Sequence, residues 1–240
     1  MREKGLIAVL ASKGEVQPAA RGKRSPAYRT ADFHLNKLDI LSELKYTEDE
    51  IGIPIILGTK SAELPSSMTA FSKAIYGKRT ETIVHFYEAD RSFARVMHNP
   101  KKYGELLKRF KYVVFPDFSQ KLDMPAFIRF QNSWWNKALG AYWQSLGVNV
   151  IPNVSWSTPS SYEYAFKGIP RHSVIAINCT GIKGTHMSRY FWMSGYEAAL
   201  KALEPSLIIR YGDAMPGEDT SRSVYFENEN LKRLRNGGKR

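Results

Sequence analysis

The hydrophobic positions of the chain form short, nearly continuous apolar runs, separated by longer segments of mixed character. Six of these runs are rich in β-branched and aromatic residues, which is typical of strands covered on both faces. They are IPIIL (53–57), TIVHFY (82–87), YVVF (112–115), VNVIPNVSW (148–156), SVIAIN (173–178) and SLIIRY (206–211). The pattern therefore predicts a mostly parallel β-sheet.

The segments between the runs have the boundary residues of helices. Asn99 precedes Pro100, which pairs a capping residue with proline at the first helical position. Asp123 precedes the longest helical segment, which ends before Gly147, so helix capping is the favoured interpretation of that carboxylate. The alternation predicts an α/β fold with helical crossovers, whose sheet is either an open three-layer arrangement or a partial barrel.

Aromatic residues are concentrated in the longest helical segment, FIRFQNSWWNKALGAYWQSLG (127–147). Aromatic rings interleaved with Arg129 and Lys137 are able to stack on nucleic-acid bases. A helix that is buried on most of its circumference explains the same composition. We favour core packing for this helix.

The bulk composition indicates a folded protein with one sizeable domain. The chain has 240 residues, of which 43% are hydrophobic, and a single cysteine. One cysteine excludes a disulfide framework and a cysteine-rich zinc site. No apolar run approaches the roughly 18 residues that a membrane span requires, so we expect a cytoplasmic protein with no membrane partner.

The net charge of +12 is distributed unevenly. Residues 1–30 contain seven Lys/Arg and two Glu, and residues 231–240 contain five Lys/Arg and no acidic residue. The sequence thus predicts a flexible basic N-terminal segment (1–30), a single α/β domain (31–215) and a basic C-terminal tail (216–240).

Clustered basic residues in flexible ends favour binding to nucleic-acid phosphates. The candidate nucleic-acid-binding residues are Arg21, Lys23, Arg24, Arg29, Lys232, Arg233, Arg235, Lys239 and Arg240. The alternative interpretation is that these ends only improve solubility.

Polar residues follow the strands, where α/β proteins bind their ligands. The candidate cleft residues are Asp90, Asp117, Ser119, Trp156, Asn178, Thr180, Tyr211 and Asp213. Asp117 follows Pro116 at a strand end and is the candidate catalytic residue, as a general base or a ligand of a divalent metal. An Asx turn is the structural alternative for Asp117.

The sequence contains none of the common catalytic motifs. There is no Walker-type phosphate loop, G-x-G-x-x-G, H-E-x-x-H or G-x-S-x-G, and the five histidines have no ligand spacing. The sequence therefore identifies no particular reaction.

Five blocks of the sequence form a recognisable ordered series. They are FPDFS (115–119), DMP (123–125), LGAYWQSLGVNVIPNVSW (139–156), SYEYAFKGIP (161–170) and SVIAI (173–177). In this order they resemble domain-of-unknown-function family 4417. The resemblance covers about residues 83–212 and implies a compact α/β domain from a phage or another mobile element. It implies no assigned catalytic residues.

This chain departs from the pattern of that family at two places. Relatives tend to carry paired acids after the second strand, where this chain reads YEADR (87–91), and acids after the tryptophan, where it reads STPSS (157–161). If those acids are catalytic in relatives, this chain has lost or relocated that chemistry.

Three functions follow as hypotheses. The leading one is a mobile-element protein that binds nucleic acid through its basic ends, with or without processing it. The second is an enzyme acting on a nucleotide-like or sugar-like small molecule. In it Asp117 is a base or a metal ligand, Trp156 is a stacking wall, and the hydrogen-bonding groups are Asn178, Thr180 and Tyr211. The third is a protein-binding module directed at a host factor.

Overall fold

The computed structural model describes residues 38–42, 44–59, 63–180 and 185–228. The predicted nucleic-acid-binding residues fall elsewhere in the chain. Arg21, Lys23, Arg24, Arg29, Lys232, Arg233, Arg235, Lys239 and Arg240 all lie outside the described residues.

Within the part of the chain that the structure describes, the extended strands pair in parallel and follow one another in chain order. A four-stranded sheet has the order β1-β2-β3-β4, and a three-stranded sheet has the order β5-β6-β7. The strands are β1 (Met68–Ala70), β2 (Ile83–His85), β3 (Tyr112–Val114), β4 (Val150–Ile151), β5 (Val174–Asn178), β6 (Leu207–Tyr211) and β7 (Ser223–Phe226). This arrangement confirms the predicted α/β fold with a mostly parallel sheet.

The two sheets are joined by the chain that continues from β4. Asn153 forms a parallel bridge with Ala176 of β5. The amide of Val154 donates to the carbonyl of Ala176 at 2.9 Å, and the amide of Ala176 donates to the carbonyl of Pro152 at 2.8 Å. The seven strands of the described residues therefore form one continuous hydrogen-bonded series.

Helices connect most of the strands. They are α1 (Leu38–Leu41), α2 (Phe71–Ala74), α3 (Asp90–Phe93), α4 (Arg95–His98), α5 (Pro100–Leu107), α6 (Ala126–Ser145), α7 (Tyr162–Ala165) and α8 (His186–Leu203), with a 3₁₀ turn at Pro159–Ser161. Asn99 caps α5 as predicted, since its side chain accepts from the amide of Lys102 at 3.0 Å. The predicted cap at Asp123 is wrong, because α6 begins after Pro125 without a side-chain cap.

The continuous sheet is strongly curved. β2 and β6 are four strands apart, which in a flat sheet is about 19 Å. The rings of His85 on β2 and Tyr211 on β6 nevertheless lie 4.3 Å apart between centroids, and Tyr87 lies 5.2 Å from the same tyrosine. The sheet must therefore curve into a partial barrel. Among the described residues β7 does not pair with β1, so this barrel is open.

The curved sheet encloses an inner core and carries helices on its outside. The inner cluster takes side chains from every strand, including Met68, Ile83, Tyr112, Val114, Ile151, Val174, Ala176, Ile209, Tyr211 and Phe226. Outside, α6 packs on the first sheet through Leu139 and Trp143, and α8 packs on the second through Trp192 and Tyr196. Core packing of α6 is confirmed for its C-terminal half, whereas Phe127 near its start is exposed.

Two predicted boundaries differ from the structure. IPIIL (53–57) forms no extended strand, and only Pro54 makes an isolated bridge, with Tyr46. Proline lacks the amide that a strand ladder needs. At the other end, β7 pairs with β6 beyond residue 215, where the sequence placed the end of the domain. No helix of the described residues has the length and apolarity needed to cross a membrane.

Candidate functional site

A cavity of about 640 Å³ opens at the carboxyl ends of the strands. We call it the mouth cavity. Its wall includes Glu88 after β2, Asp117 after β3, Trp156 after β4 and Asn178 at the end of β5, together with residues from the start of α8. The predicted cleft residues that the structure brings together here are Asp117, Ser119, Trp156, Asn178 and Thr180.

Three other predicted cleft residues do not line the mouth cavity. Asp90 lies behind Ser119, whose hydroxyl donates to Asp90 Oδ1 at 2.9 Å and whose amide donates to Oδ2 at 3.2 Å. Tyr211 shares the inward face of β6 with Ile209, because side chains alternate along a strand, and its ring packs inside the barrel against His85. Asp213 also lies away from the lining. The predicted ligand contact of Tyr211 does not fit this position.

Asp117 is held by Asn153, which the sequence analysis did not single out. Asn153 Nδ2 donates to Asp117 Oδ1 at 2.9 Å. The hydroxyl of Tyr87 donates to the other side of the same amide, Asn153 Oδ1, at 3.0 Å. Because Asn153 Oδ1 accepts the hydrogen bond from Tyr87, the NH₂ group of Asn153 faces the carboxylate of Asp117.

Two further side chains hydrogen-bond to Asp117, namely Ser155 and Asn178. The amide of Thr180 donates to Asn178 Oδ1 at 2.8 Å, which leaves the Asn178 NH₂ group to donate to Asp117. Gln120 Nε2 donates to Ser155 Oγ at 2.8 Å, so the single Ser155 proton is free to donate to Asp117. Three neutral donors thus converge on one carboxylate, each oriented by another partner.

Burial raises the pKa of the Asp117 carboxyl to about 6. The hydrogen bonds from Asn153 and Ser155 oppose this rise, the nearby charge of Asp90 adds to it, and the bond from Asn178 opposes it. Removal from water dominates because no cation is among the causes that act on this carboxyl. Asp117 therefore exchanges protons near neutral pH, unlike an ordinary aspartate.

Trp156 forms a partly buried aromatic wall of the mouth cavity. Its Nε1 donates to the carbonyl of Phe191 in α8 at 3.2 Å, and its ring lies 5.8 Å from that of Trp192. Gly195 makes this approach possible, since a Cβ built there would lie 2.1 Å from Trp156 Nε1. The glycine therefore sets the position of the indole.

Cationic and carboxylate groups complete the surroundings of the cavity. Lys121 and Asp123 lie on the wall, and Arg129 donates through NH1 to Ser157 Oγ at 2.8 Å. Within the described residues, no group of three or more His, Cys, Asp or Glu side chains is arranged to hold a metal ion. The hydrogen bonds to Asp117 make this site a carboxylate surrounded by hydrogen-bond donors.

Of the residues around Asp117 that the sequence analysis did not select, Asn153 was indicated by the sequence. Asn153 is a polar residue inside the apolar run VNVIPNVSW, and in the structure it is buried. A buried amide must find hydrogen-bond partners, so such an interruption indicates a polar network. Gln120 carried no comparable signal, because it lies between other polar residues in a loop after β3. Tyr87 carried none either, because an aromatic residue at the end of the apolar run TIVHFY (82–87) is what core packing alone would place there.

Comparison with known proteins gives one family and two phage relatives. Residues 47–227 match the family described as "Domain of unknown function (DUF4417)", which confirms the resemblance seen in the sequence. The Gene 1 protein of Mycobacterium phage L5 is 29% identical over 144 residues, covering 60% of this chain and 63% of the relative. The Gene 1 protein of Mycobacterium phage D29 is 31% identical over 129 residues, covering 54% of this chain and 48% of the relative.

The chain thus spans less than two thirds of the length of either curated relative. No solved structure is significantly similar to it.

Proposed function

We propose that the chain, which belongs to the DUF4417 family, is an enzyme that acts on a nucleotide-like or sugar-like molecule in the mouth cavity. Asp117 serves as its general acid–base group. The single observation that carries the proposal is the carboxylate of Asp117, which lies on the cavity wall, accepts hydrogen bonds from three neutral side chains, and has its pKa raised to about 6 by burial.

The protonation behaviour of Asp117 suits proton transfer. A general acid–base group is most effective when its pKa lies near the working pH, because both protonation states are then populated. Perturbed carboxyl groups in clefts also concentrate at functional sites. The network through Asn153 and Tyr87 fixes the orientation of the carboxyl group without neutralising it.

The size and lining of the cavity favour a small polar ligand with a ring. A volume of about 640 Å³ lies within the range of about 300–1,000 Å³ typical of small-molecule sites. Trp156 offers an aromatic surface, while Asn178 and Thr180 offer amide and hydroxyl groups. Nucleotides and sugars both combine a flat or compact ring with several hydrogen-bonding groups.

A ligand screen on the full chain tests this proposal. We expect adenosine, AMP, glucose and glucose 6-phosphate to include at least one compound whose binding is detected by calorimetry. Asp117→Asn should weaken that binding, because a neutral amide with one acceptor oxygen then replaces a carboxyl group with two. Asp213→Asn is the matched control, since Asp213 follows β6 at the same end of the sheet but lies outside the lining. Equal losses in both variants, or no loss in either, would contradict the proposal.

Nucleic-acid binding through the basic ends is the second candidate function. It is supported by the charge distribution, since residues 1–30 and 231–240 supply most of the net charge of +12. Phosphate neutralisation by such residues makes affinity fall steeply with salt. We expect the intact chain to bind single-stranded DNA in low salt, and a chain trimmed to residues 31–230 to lose most of that affinity and of its salt dependence. An intact chain that does not bind in low salt would exclude this function.

A further inference from the structure

Gln120 lines the mouth cavity, and its side chain carries a buried polar atom for which the described residues provide no partner. Its Oε1 is inaccessible to solvent and accepts no hydrogen bond from the described residues. Its Nε2, in contrast, donates a hydrogen bond to Ser155 Oγ at 2.8 Å. A buried acceptor without a donor costs free energy, so the observation points to a donor supplied by a ligand.

The hydrogen-bond network determines which atom of this amide is left over. Ser155 has one hydroxyl proton, and Asp117 receives its hydrogen bond. Ser155 Oγ must then accept from Gln120, which requires the NH₂ group of that amide to face the serine. The remaining atom of Gln120 is consequently the oxygen, an acceptor.

Gln120 and Asp117 are thus two acceptors that are linked through the same serine. A ligand hydroxyl has one proton and satisfies only one of them. An amino group on an aromatic ring has two N–H donors in the plane of the ring and is able to satisfy both. Trp156, which directly follows Ser155 in the chain, lines the same cavity and offers an indole on which a flat ring stacks.

We propose that Gln120 is the specificity-determining residue of the mouth cavity, and that its Oε1 accepts a hydrogen bond from the exocyclic amino group of a nucleobase stacked on Trp156. This inference rests on the proposed function, because it names the ligand class of the same cavity. It selects aminated bases, such as adenine and cytosine, over sugars and over bases that lack the amino group.

Paired nucleosides test the inference on the unmodified full chain. Adenosine is compared with purine riboside, and cytidine with pyrimidin-2-one riboside, since each pair differs only in the amino group. We expect the aminated member of at least one pair to bind about tenfold more tightly, as measured by calorimetry, because the other leaves a buried acceptor unpaired. Equal affinities within both pairs would overturn the inference.

Two substitutions locate the effect at Gln120. Gln120→Met keeps the length of the side chain and removes the acceptor, so the preference for the aminated nucleoside should disappear. Gln120→Glu keeps an acceptor at that position and should keep the preference. Gln144→Met is the matched control, because both amide atoms of Gln144 bond to the backbone of Leu57, away from the mouth cavity. A preference that survives in Gln120→Met would also overturn the inference.

Failure of this inference is distinguishable from failure of the proposed function. If glucose 6-phosphate binds in a manner that depends on Asp117 and none of the nucleosides binds, the ligand class named here is wrong and the proposed active site remains. If neither sugars nor nucleosides bind the unmodified chain, both proposals are wrong. The wild-type comparison requires no variant, so it stands even where a substitution impairs folding.

Discussion

Two charged groups that are largely shielded from water, Asp117 and Arg210, lie at different places in this fold and have opposite surroundings. Asp117 lies on the wall of the mouth cavity, where neutral amides and a hydroxyl donate to it. Arg210 lies on the outward face of β6 beneath α8, where it is fully buried. Burial opposes the charged form of both groups, but among the described residues only Arg210 has a partner of opposite charge at hydrogen-bonding distance.

Arg210 forms a complete ion pair with Glu218. Its Nε donates to Glu218 Oε1 at 2.6 Å and its NH2 donates to Oε2 at 3.0 Å, while NH1 donates to the carbonyl of Ile177 at 3.0 Å. The ring of Trp192 covers the guanidinium, with 4.8 Å between Arg210 Cζ and the ring centroid. Burial on its own would lower the pKa of Arg210, but the hydrogen bonds and the charge of Glu218 raise it.

The comparison separates a structural charge from a reactive one. A counter-charge at hydrogen-bonding distance keeps Arg210 ionised at any ordinary pH, so the pair contributes packing and specificity. Neutral donors leave Asp117 able to gain and lose a proton, which is what acid–base chemistry requires. Substitutions at these groups and their partners test this difference between a paired charge and one that has only neutral donors.

Removal of the counter-charge should destabilise the protein strongly. Glu218→Ala leaves the Arg210 guanidinium buried and unpaired, and we expect the free energy of unfolding to fall by about 3–5 kcal/mol. Urea denaturation measures this change. Glu105→Ala is the control, because Glu105 pairs with Lys108 at an exposed position and its loss should cost less than about 1 kcal/mol. Similar losses in both variants would show that the buried pair has no special role.

Lys137 on α6 extends the comparison to a buried cation for which the described residues provide no counter-charge. Its Nζ donates to Ser133 Oγ at 3.0 Å and to the carbonyl of Tyr164 at 3.1 Å, and burial lowers its pKa to about 7. Above that pH the unfolded chain holds a proton that the folded chain has lost, so the free energy of unfolding should rise by about 2 kcal/mol between pH 7 and 9.

Lys137→Met should remove this rise with pH, whereas Lys108→Met, at an exposed position of the surface, should keep it. The free energy of unfolding of all three proteins is measured in urea at each pH. If the free energy of unfolding of Lys137→Met still rises between pH 7 and 9, groups other than Lys137 cause the rise.

Asp117 should produce the opposite pH dependence. Because burial raises the pKa of Asp117 to about 6, the folded protein retains a proton between pH 4 and 6 that the unfolded chain has already released. The free energy of unfolding should therefore fall by about 2 kcal/mol as the pH rises through this window. The difference between wild type and Asp117→Asn, measured in urea at each pH, isolates this contribution. A difference that does not vary between pH 4 and 6 would contradict the raised pKa.

The sequence was sufficient to predict the parallel sheet and much of the mouth cavity. Continuous apolar runs indicate strands covered on both faces, and the rule that ligands bind at the carboxyl ends of strands selects Asp117, Ser119, Trp156, Asn178 and Thr180, all of which line one cavity. The same rule also selected Tyr211, whose ring instead packs inside the barrel. The rule identifies the end of a strand, but not whether its last side chain points inward or towards the rim.

The closure of the sheet and the pairing of charges depend on contacts between distant residues. The 4.3 Å separation of the rings of His85 and Tyr211 requires β2 and β6 to meet across the barrel, and no local pattern encodes that curvature. Arg210 similarly appears in the sequence as a charge at the end of an apolar strand. Only the turn that brings Glu218 back beneath α8 shows that it is paired.

The smallest expected effect concerns the residue that orients Asn153. Tyr87→Phe removes the hydroxyl that donates to Asn153 Oδ1, so the amide is free to turn and its hydrogen bond to Asp117 weakens. Since that bond stabilises the ionised carboxylate, the pKa of Asp117 should rise further, by less than about one unit. Carbon-13 NMR titration of the carboxyl group measures this shift. Tyr112→Phe is the control, because Tyr112 belongs to the same inner cluster but starts β3, at the end of the barrel away from the mouth. An unchanged pKa of Asp117 in Tyr87→Phe would mean that Asn153 keeps its orientation without the tyrosine. Tyr87 would then not belong to the network that sets the pKa of Asp117.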